Sequence, residues 1–262
     1  MSESKISVEV RGHVLLIGFN RADKYNGFDL EMFNQLAQAY GQLERDPELR
    51  CGYVYAKGKH FTAGLDLPKW TQTFGSGAWP VLADDQCDPL GLIPHKRVSK
   101  PLVFAMQGIC YTIGIELALA GDIRLCSDTA RFGQIEVKRG IYACGGATLR
   151  MVQEFGWANA QRYLLTGDEF NAAEAHRMGF VQDIVPEGEL YERGLAMAEK
   201  VARQAPLGVY GSLKSSRLLI EQGLQQAVAR LMPDLAPLMG SEDVREGVQS
   251  FVERREAQFK GR

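Results

Sequence analysis

Two glutamates lie in apolar sequence, where a carboxylate is costly unless it is paired or kept neutral. Glu116 interrupts an apolar run over 113–120, and Glu136 lies inside a second apolar segment over 132–137. Two carboxyl groups held in different protonation states can transfer protons to and from a substrate. The pattern therefore predicts that Glu116 and Glu136 form an acid/base pair.

Two short loops offer backbone donors close to these glutamates. Ala63 and Gly64 end a glycine-bounded loop, and Thr112, Ile113 and Gly114 follow a strand and a turn and open a helix. N–H groups at such positions lack partners and can point at an anion. Two that converge would form an oxyanion hole, with an effect of roughly 10²–10³ per donor on the rate. Each loop is a weak indication by itself, because glycine turns are common.

Each glutamate also has a structural interpretation. Glu116 could pair with a buried lysine or arginine, or lie on a partly exposed helix face. Glu136 precedes Lys138 and Arg139 and could be a surface charge at the end of a strand. Neither residue decides between these interpretations alone.

Other reaction classes lack their sequence signatures. The chain has no G-x-S-x-G nucleophile elbow, no G-x-G-x-x-G fingerprint and no Walker A loop. Its four histidines and five cysteines are scattered, so neither a metal site nor a disulfide framework is expected. Carboxylates and backbone donors remain, and they suit proton transfer beside a polarised carbonyl.

The composition suits one large domain, or a domain with a helical extension, that has a substantial core. The 262 residues are 45% hydrophobic and carry a formal net charge of −2, without the basic surplus typical of nucleic-acid binding. The N-terminus has no secretory signal, and no apolar run approaches the ~20 residues that span a bilayer. We therefore expect a reducing cytoplasm and neither nucleic-acid nor membrane partners.

Strand and helix patterns alternate over about the first 185 residues, and helical patterns then dominate. This predicts an α/β core over 1–186 and a helical region over 187–262, ending in a charged helix over 243–260. Residues 68–98 are irregular and predict a mobile lid or insertion, whose aromatic residues would line a pocket or pack on the core. The other predicted elements are a hairpin over 6–10 and 13–19, a helix between Asp29 and Asp46, strands over 52–56, 102–106, 123–126 and 181–185, and helices over 112–120, 148–155, 158–165 and 171–179.

Four motifs in order resemble the crotonase (enoyl-CoA hydratase/isomerase) family over nearly the whole chain. Any one of them is weak, but their order and spacing are specific. The chain departs from the family pattern at Ile113, where glycine is usual, at Ile135, where proline is usual, and over 142–146. The motifs are an R-P-x-K-x-N-like turn at 21–26, a G-x-x-F-x-A-G-x-D loop at 58–67, a K-P…G-x-E-L-A-x-x-x-D segment at 100–122 and a T-G…A-x-x-A…I-V-P segment at 166–186.

The resemblance implies a spiral of repeated β-β-α units, with C-terminal helices that assemble homotrimers or hexamers. It also implies an acyl-coenzyme A substrate, whose thioester oxygen would lie between the N–H groups of Ala63 and Ile113. Coenzyme A is then part of the substrate, and no other cofactor or metal is needed. The implied substrate-binding residues are Lys24, Ala63, Gly64, Leu65, Asp66 and Gly114, with Arg254 or Lys260 reaching the coenzyme phosphates in the same or a neighbouring subunit.

Glutamates at both positions resemble the family's hydratases, whereas simple isomerases usually keep only the one that matches Glu136. The implied reaction is hydration of a 2-trans-enoyl-CoA to a 3-hydroxyacyl-CoA. Glu116 would take a proton from water, and Glu136 would give one to the α-carbon. The alternatives are double-bond isomerisation or thioester hydrolysis of an acyl-CoA, or an acyl-CoA-binding scaffold without activity.

Overall fold

A computed structural model describes residues 4–262 of the protein. Six strands form its main sheet. The first two strands pair antiparallel and the other neighbours pair parallel. In spatial order the strands are β1 (Ile6–Arg11), β2 (Val14–Phe19), β3 (Cys51–Ala56), β4 (Leu102–Met106), β6 (Ile123–Ser127) and β9 (Asp183–Val185). Most of β2 to β6 is buried, as expected for parallel strands covered on both faces.

A second sheet of three short strands lies beside the first. It contains β5 (Ile109–Tyr111), β7 (Arg131–Gly133) and β8 (Glu169–Asn171). The chain passes between the sheets repeatedly, from β4 to β5, from β6 to β7 and from β8 to β9. These passages build the predicted α/β spiral, which is confirmed. The sequence did not predict the second sheet, because strands of three residues are too short to show alternation.

The helices follow the sequence patterns closely, with shifts of a residue or two at their ends. Asp29 and Asn171 cap helices as predicted, accepting bonds from the N–H groups of Met32 at 3.0 Å and Glu174 at 2.9 Å. No helix in residues 4–262 has both the length and the apolarity of a membrane span. The helices are α1 (Leu30–Arg45), α2 (Thr71–Gly75), α3 (Ile113–Ala120), α4 (Ala147–Phe155), α5 (Trp157–Thr166), α6 (Ala172–Arg177), α7 (Leu190–Ala202), α8 (Pro206–Gln222), α9 (Leu224–Leu235) and α10 (Glu242–Glu253).

Hydrophobic cores lie on both faces of the main sheet. α1 and α3 belong to the larger core on one face. On the other face, α7 buries Leu190, Leu195 and Ala198 together with Val14 and Tyr53 of the sheet. The C-terminal helical region therefore begins with a helix that packs directly on the α/β core.

The prediction that the charged helix extends over 243–260 is wrong, because α10 ends at Glu253. Arg254 adopts the left-handed conformation with φ 55° and turns the chain back. The buried carboxylate of Asp243 then accepts the N–H groups of Lys260 at 2.7 Å and Gly261 at 2.9 Å. A continuous helix would carry those donors away from Asp243, so this bonding favours the return of the chain.

The aromatic residues of the irregular segment 68–98 pack on the core. Trp70 is fully buried, and its indole N–H donates to the Phe28 carbonyl at 2.8 Å. Its ring meets Phe33 of α1 edge to face at 5.5 Å, and Phe74 and Trp79 pack around it. The structure therefore favours core packing over pocket lining for Trp70.

Candidate active site

Glu116 lies in the first turn of α3, a helix whose eight residues are all buried. Its Oε1 atom accepts the N–H groups of Gly145 at 2.6 Å and Ala147 at 3.3 Å. These two donors favour the ionised carboxylate, whereas burial opposes it. Burial and then the charge of Glu136 raise the pKa of Glu116 to about 7 despite the two bonds.

Glu136 begins a short 3-10 turn, Glu136–Arg139, rather than ending a strand. Its Oε2 atom is buried and has no hydrogen-bond partner among residues 4–262. Burial raises the pKa of Glu136 to about 7. Glu136 is only partly exposed and its Oε2 atom is buried, which disfavours the surface-charge interpretation.

The two glutamates share one environment. The charge of Glu136 acts on Glu116, and both charges help burial to raise the pKa of the Cys144 thiol. Cys144 is exposed whereas the other cysteines are buried, so the segment beside the two carboxyl groups reaches the surface. Within the described chain neither glutamate forms an ion pair, which disfavours the structural pairing considered for Glu116.

Gly145 is a close contact of the Glu116 carboxyl group. A Cβ atom built on Gly145 would lie 2.4 Å from Oε2 and 2.7 Å from Cδ of Glu116. The backbone of Gly145 does not have a positive φ, so the requirement for glycine comes from this contact alone. The 142–146 segment, where the sequence departs from the family pattern, thus contains the loop that holds Glu116.

The prediction that Ala63 supplies an oxyanion donor is wrong in this structure. The Ala63 N–H already donates to the Tyr25 carbonyl at 2.9 Å, so it is not free for a ligand. This bond joins the loop over 58–67 to the turn over 21–26. The sequence could not show it, because the acceptor belongs to a distant segment.

Leu65 supplies the free donor on this loop. Phe28 forms a parallel bridge opposite Leu65, and it bonds the Gly64 carbonyl and the Asp66 N–H, each at 2.8 Å. In such a bridge the N–H of the central residue points away from the partner. The Leu65 N–H has no acceptor among the described residues.

A second free donor lies at the start of α3. Thr112 precedes the helix with φ 49°, and the N–H groups of Ile113 and Gly114 have no acceptor within residues 4–262. Gly64, with φ 104°, touches this point, because a Cβ atom on it would lie 2.3 Å from Thr112 Oγ1. Leu65 follows Gly64 in the chain, and Ile113 follows Thr112. The two free N–H donors therefore belong to the residues next to this contact. The structure therefore brings together the two loops predicted from the sequence, with Leu65 in place of Ala63.

Asn26 fastens the turn over 21–26 to the loop. Its side chain is buried, and Nδ2 donates to the carbonyls of Lys57 at 3.0 Å and His60 at 2.8 Å. Its Oδ1 atom accepts the Arg21 N–H at 2.8 Å. The asparagine of this motif thus holds the backbone beside the candidate site.

The remaining predicted binding residues fall into two groups. Lys24 is exposed on the same turn, and the Asp66 carboxylate lies 3.4 Å from the Arg21 guanidinium group. Gly114 is required by packing, since a Cβ atom there would lie 2.5 Å from Thr62 Cγ2. Their contacts with a substrate stay predictions.

Arg254 and Lys260 are not brought to this site within one chain. The segment that carries them returns to the start of β3, where Arg50 donates to the Phe259 carbonyl at 2.9 Å. The loop over 58–67 follows the opposite end of β3. A role for Arg254 or Lys260 therefore requires a neighbouring subunit.

Sequence reasoning missed Gln134, which is buried two residues before Glu136. Both amide atoms of Gln134 lack partners among the described residues. A buried amide without partners is unfavourable unless water or a ligand satisfies it. The signal was present as a polar residue inside the apolar 132–137 segment.

The raised pKa of Glu116 predicts how stability depends on pH. Because the folded pKa of about 7 exceeds the unfolded value of about 4.3, the folded state binds the proton more tightly. This contribution is complete below the unfolded pKa and is lost as the pH rises through about 7. We expect Glu116→Gln to reduce the fall in Tm between about pH 5 and pH 8, measured by calorimetry. The exposed Glu192→Gln variant is the control, and parallel Tm profiles for Glu116→Gln and wild type would contradict the burial argument.

These features form a candidate acid/base site on an α/β spiral. A sequence profile of the enoyl-CoA hydratase/isomerase family matches residues 9–262. The chain belongs to this family, as the motif resemblance predicted.

Individual relatives match along their full length. Enoyl-CoA hydratase EchA19 of Mycobacterium tuberculosis is 32% identical over 260 residues, which cover 97% of this chain and 96% of that protein. (E)-Benzylidenesuccinyl-CoA hydratase of Thauera aromatica is 32% identical over 257 residues, covering 98% and 99% of the two chains. The crystal structure of a probable enoyl-CoA hydratase/isomerase from Mycobacterium abscessus is 44% identical, with a TM-score of 0.96 and 100% of both chains covered.

Proposed function

We propose that the protein hydrates 2-trans-enoyl-CoA to 3-hydroxyacyl-CoA. The observation that carries this proposal is the unequal bonding of two neighbouring carboxyl groups, one buried and one half-buried. Glu116 accepts the N–H groups of two other residues through Oε1, whereas the Glu136 carboxyl group has a backbone bond only within its own residue and its Oε2 atom has no partner among residues 4–262. One group is thereby suited to be ionised while the other is protonated. The similar proteins of Mycobacterium tuberculosis and Thauera aromatica are hydratases by name, which supports the same reaction.

In this proposal Glu116 is the general base and Glu136 the general acid. The Glu116 carboxylate takes a proton from water while the water oxygen bonds to the β-carbon. The electron pair of the double bond moves toward the thioester, and protonated Glu136 delivers its proton to the α-carbon. A later proton exchange restores both groups. The reaction adds the elements of water without any net oxidation or reduction, and the two carboxyl groups supply its proton transfers, so the proposed mechanism uses no redox cofactor and no metal.

The N–H groups of Leu65 and Ile113 would stabilise the charge that develops on the thioester oxygen. Both lack an acceptor within the described chain, and their loops touch at Gly64 and Thr112. Fixed donors of this kind lower the barrier because they need no reorganisation during the reaction. The exposed Lys24 and the loop over 63–66 would hold the coenzyme part of the acyl-CoA.

We further propose that the chain assembles as a homotrimer or a dimer of trimers in the cytoplasm. The C-terminal helices expose apolar side chains that a partner subunit could cover. Such an assembly would also let Arg254 or Lys260 approach a neighbouring active site. The exposed side chains include Leu224, Leu231, Met232, Val248 and Phe251.

A panel of acyl-CoA thioesters read by mass spectrometry tests the reaction. We expect crotonyl-CoA or another 2-trans-enoyl-CoA to gain the mass of one water, because both acids and the oxyanion donors are present. An unchanged mass with a moved double bond would indicate an isomerase, and release of free coenzyme A would indicate a hydrolase. Binding without turnover of any thioester would contradict an enzymatic function.

A further inference from the structure

A cavity lined by charged residues lies near the loop that holds Glu116. It has a volume of about 530 Å³ and lies between the end of α3, α4 and α8. Its lining includes four arginines and two acids. The charged residues are Arg97, Asp122, Arg124, Arg150, Glu154 and Arg217.

Three of these arginines use few of their hydrogen-bond donors. A guanidinium group has five N–H donors, yet Arg97 and Arg150 each make one bond and Arg217 makes two. Nε of Arg97, Nη1 of Arg150 and Nε of Arg217 are buried without an acceptor in residues 4–262. The existing partners are Glu221 for Arg97, the Gly91 carbonyl for Arg150, and the Val98 carbonyl with Asp122 for Arg217.

The nearby acids are already engaged. Asp122 accepts the Leu102 N–H at 2.9 Å and lies 3.2 Å from Arg217, while Glu154 pairs with Arg124. Burial and then the charges of Arg217 and Arg150 lower the pKa of Arg97 to about 10. Ion pairs with Glu221, Glu154 and Asp122 thus balance the charges of Arg97, Arg124 and Arg217. Arg150 forms no ion pair within residues 4–262, and buried donors without an acceptor are unfavourable unless water or a ligand satisfies them.

The cavity also lies close to the loop over 145–147 that holds Glu116. A Cβ atom on Gly146 would lie 2.7 Å from Nη1 of Arg150, and the next residue on each side of Gly146 donates to Glu116. Arg150 therefore lies one loop away from the candidate base.

We propose that Arg97, Arg150 and Arg217 bind a carboxylate in this cavity. A carboxylate matches the planar fork of guanidinium groups, and it carries a single charge. A phosphate dianion would be repelled more strongly by Asp122 and Glu154. The carboxylate is either the distal group of a dicarboxylic acyl-CoA or a free carboxylate anion. The first case rests on the proposed hydration and narrows its substrate class.

Direct binding of adipate tests the site without any assay of catalysis. We expect wild-type protein to bind adipate saturably by calorimetry at constant ionic strength, with potassium chloride as the reference salt. Arg97→Gln and Arg217→Gln should each weaken binding about tenfold, because charged donors are lost. Arg193→Gln, on exposed α7 surface and paired with Glu189, is the matched control and should bind adipate as wild type does. If Arg217→Gln does not fold because it loses its contact with Asp122, the adipate affinity of Arg97→Gln alone decides the result.

Kinetics separate the two sources of the carboxylate. The substrates are hex-2-enedioyl-CoA and hex-2-enoyl-CoA, which have the same chain length and differ in the distal charge. If the substrate supplies the carboxylate, Arg97→Gln should lower the ratio of kcat/KM for the diacid over the monoacid about tenfold. Arg193→Gln should leave that ratio unchanged. An unchanged ratio together with weakened adipate binding would assign the site to a free anion.

The proposal is overturned if wild-type protein shows no saturable adipate binding, or if Arg97→Gln binds adipate as tightly as wild type. Failure of the proposed function is a separate result. A protein that binds adipate through Arg97 but does not hydrate any enoyl-CoA would retain the carboxylate site and lose the hydratase assignment.

Discussion

The Glu116→Gln and Glu136→Gln variants are each expected to hydrate crotonyl-CoA about 10²–10⁴-fold more slowly than wild type. Glutamine keeps the size of the side chain and can still accept the N–H groups of Gly145 and Ala147. It cannot take or deliver a proton in the way a carboxyl group does. The loss should therefore appear in kcat, because the proton transfers belong to the transition state.

Steady-state kinetics measure the loss of turnover, and coenzyme A binding measures separately whether the variants still recognise the coenzyme. Binding of coenzyme A should stay within about twofold of wild type in both variants, since neither carboxyl group is assigned to the coenzyme. The double variant should be little slower than the slower single variant, because residues that act as a unit are not additive. Glu192→Gln, an exposed change on α7, should be fully active. Wild-type turnover by Glu116→Gln or Glu136→Gln would refute the role assigned to that residue.

The Gly145→Ala variant is expected to lose about 10² in kcat while its fold is retained. The added methyl group would lie 2.4 Å from Glu116 Oε2, so the carboxyl group must move. A displacement of about 1 Å at a reacting group is enough for a loss of this size. The backbone itself accommodates alanine, since Gly145 does not have a positive φ.

Circular dichroism and thermal melting establish whether the Gly145→Ala fold is intact, and crotonyl-CoA kinetics measure the loss. Gly188→Ala is the matched glycine control, because a Cβ atom at Gly188 meets nothing within 4 Å and its φ is not positive. Equal activity of both variants would mean that the position of the Glu116 carboxyl group does not limit the rate.

Local sequence patterns determined most of the α/β core. The buried strands β3, β4 and β6, and the Asp29 and Asn171 caps, depend on residues that are neighbours in the chain. Glu116 was recognisable for the same reason, since a single carboxyl group in an apolar helix stands out by its cost of burial. The motif spacing also indicated the enoyl-CoA hydratase/isomerase family before any tertiary contact was considered.

Tertiary structure decided which backbone donors are free. The sequence does not distinguish the N–H group of Ala63 from that of Leu65 as a donor. In the fold, the Tyr25 carbonyl accepts the Ala63 N–H, and the Leu65 N–H stays available. The return of the chain at Arg254 and the contact of Gly145 with Glu116 likewise depend on segments far apart in sequence. A hydrogen-bond partner or a steric contact supplied by another element leaves no periodic signal in the chain. The apolar pattern therefore determines where a segment is buried, while folding determines which of its polar groups remain unpaired and able to react.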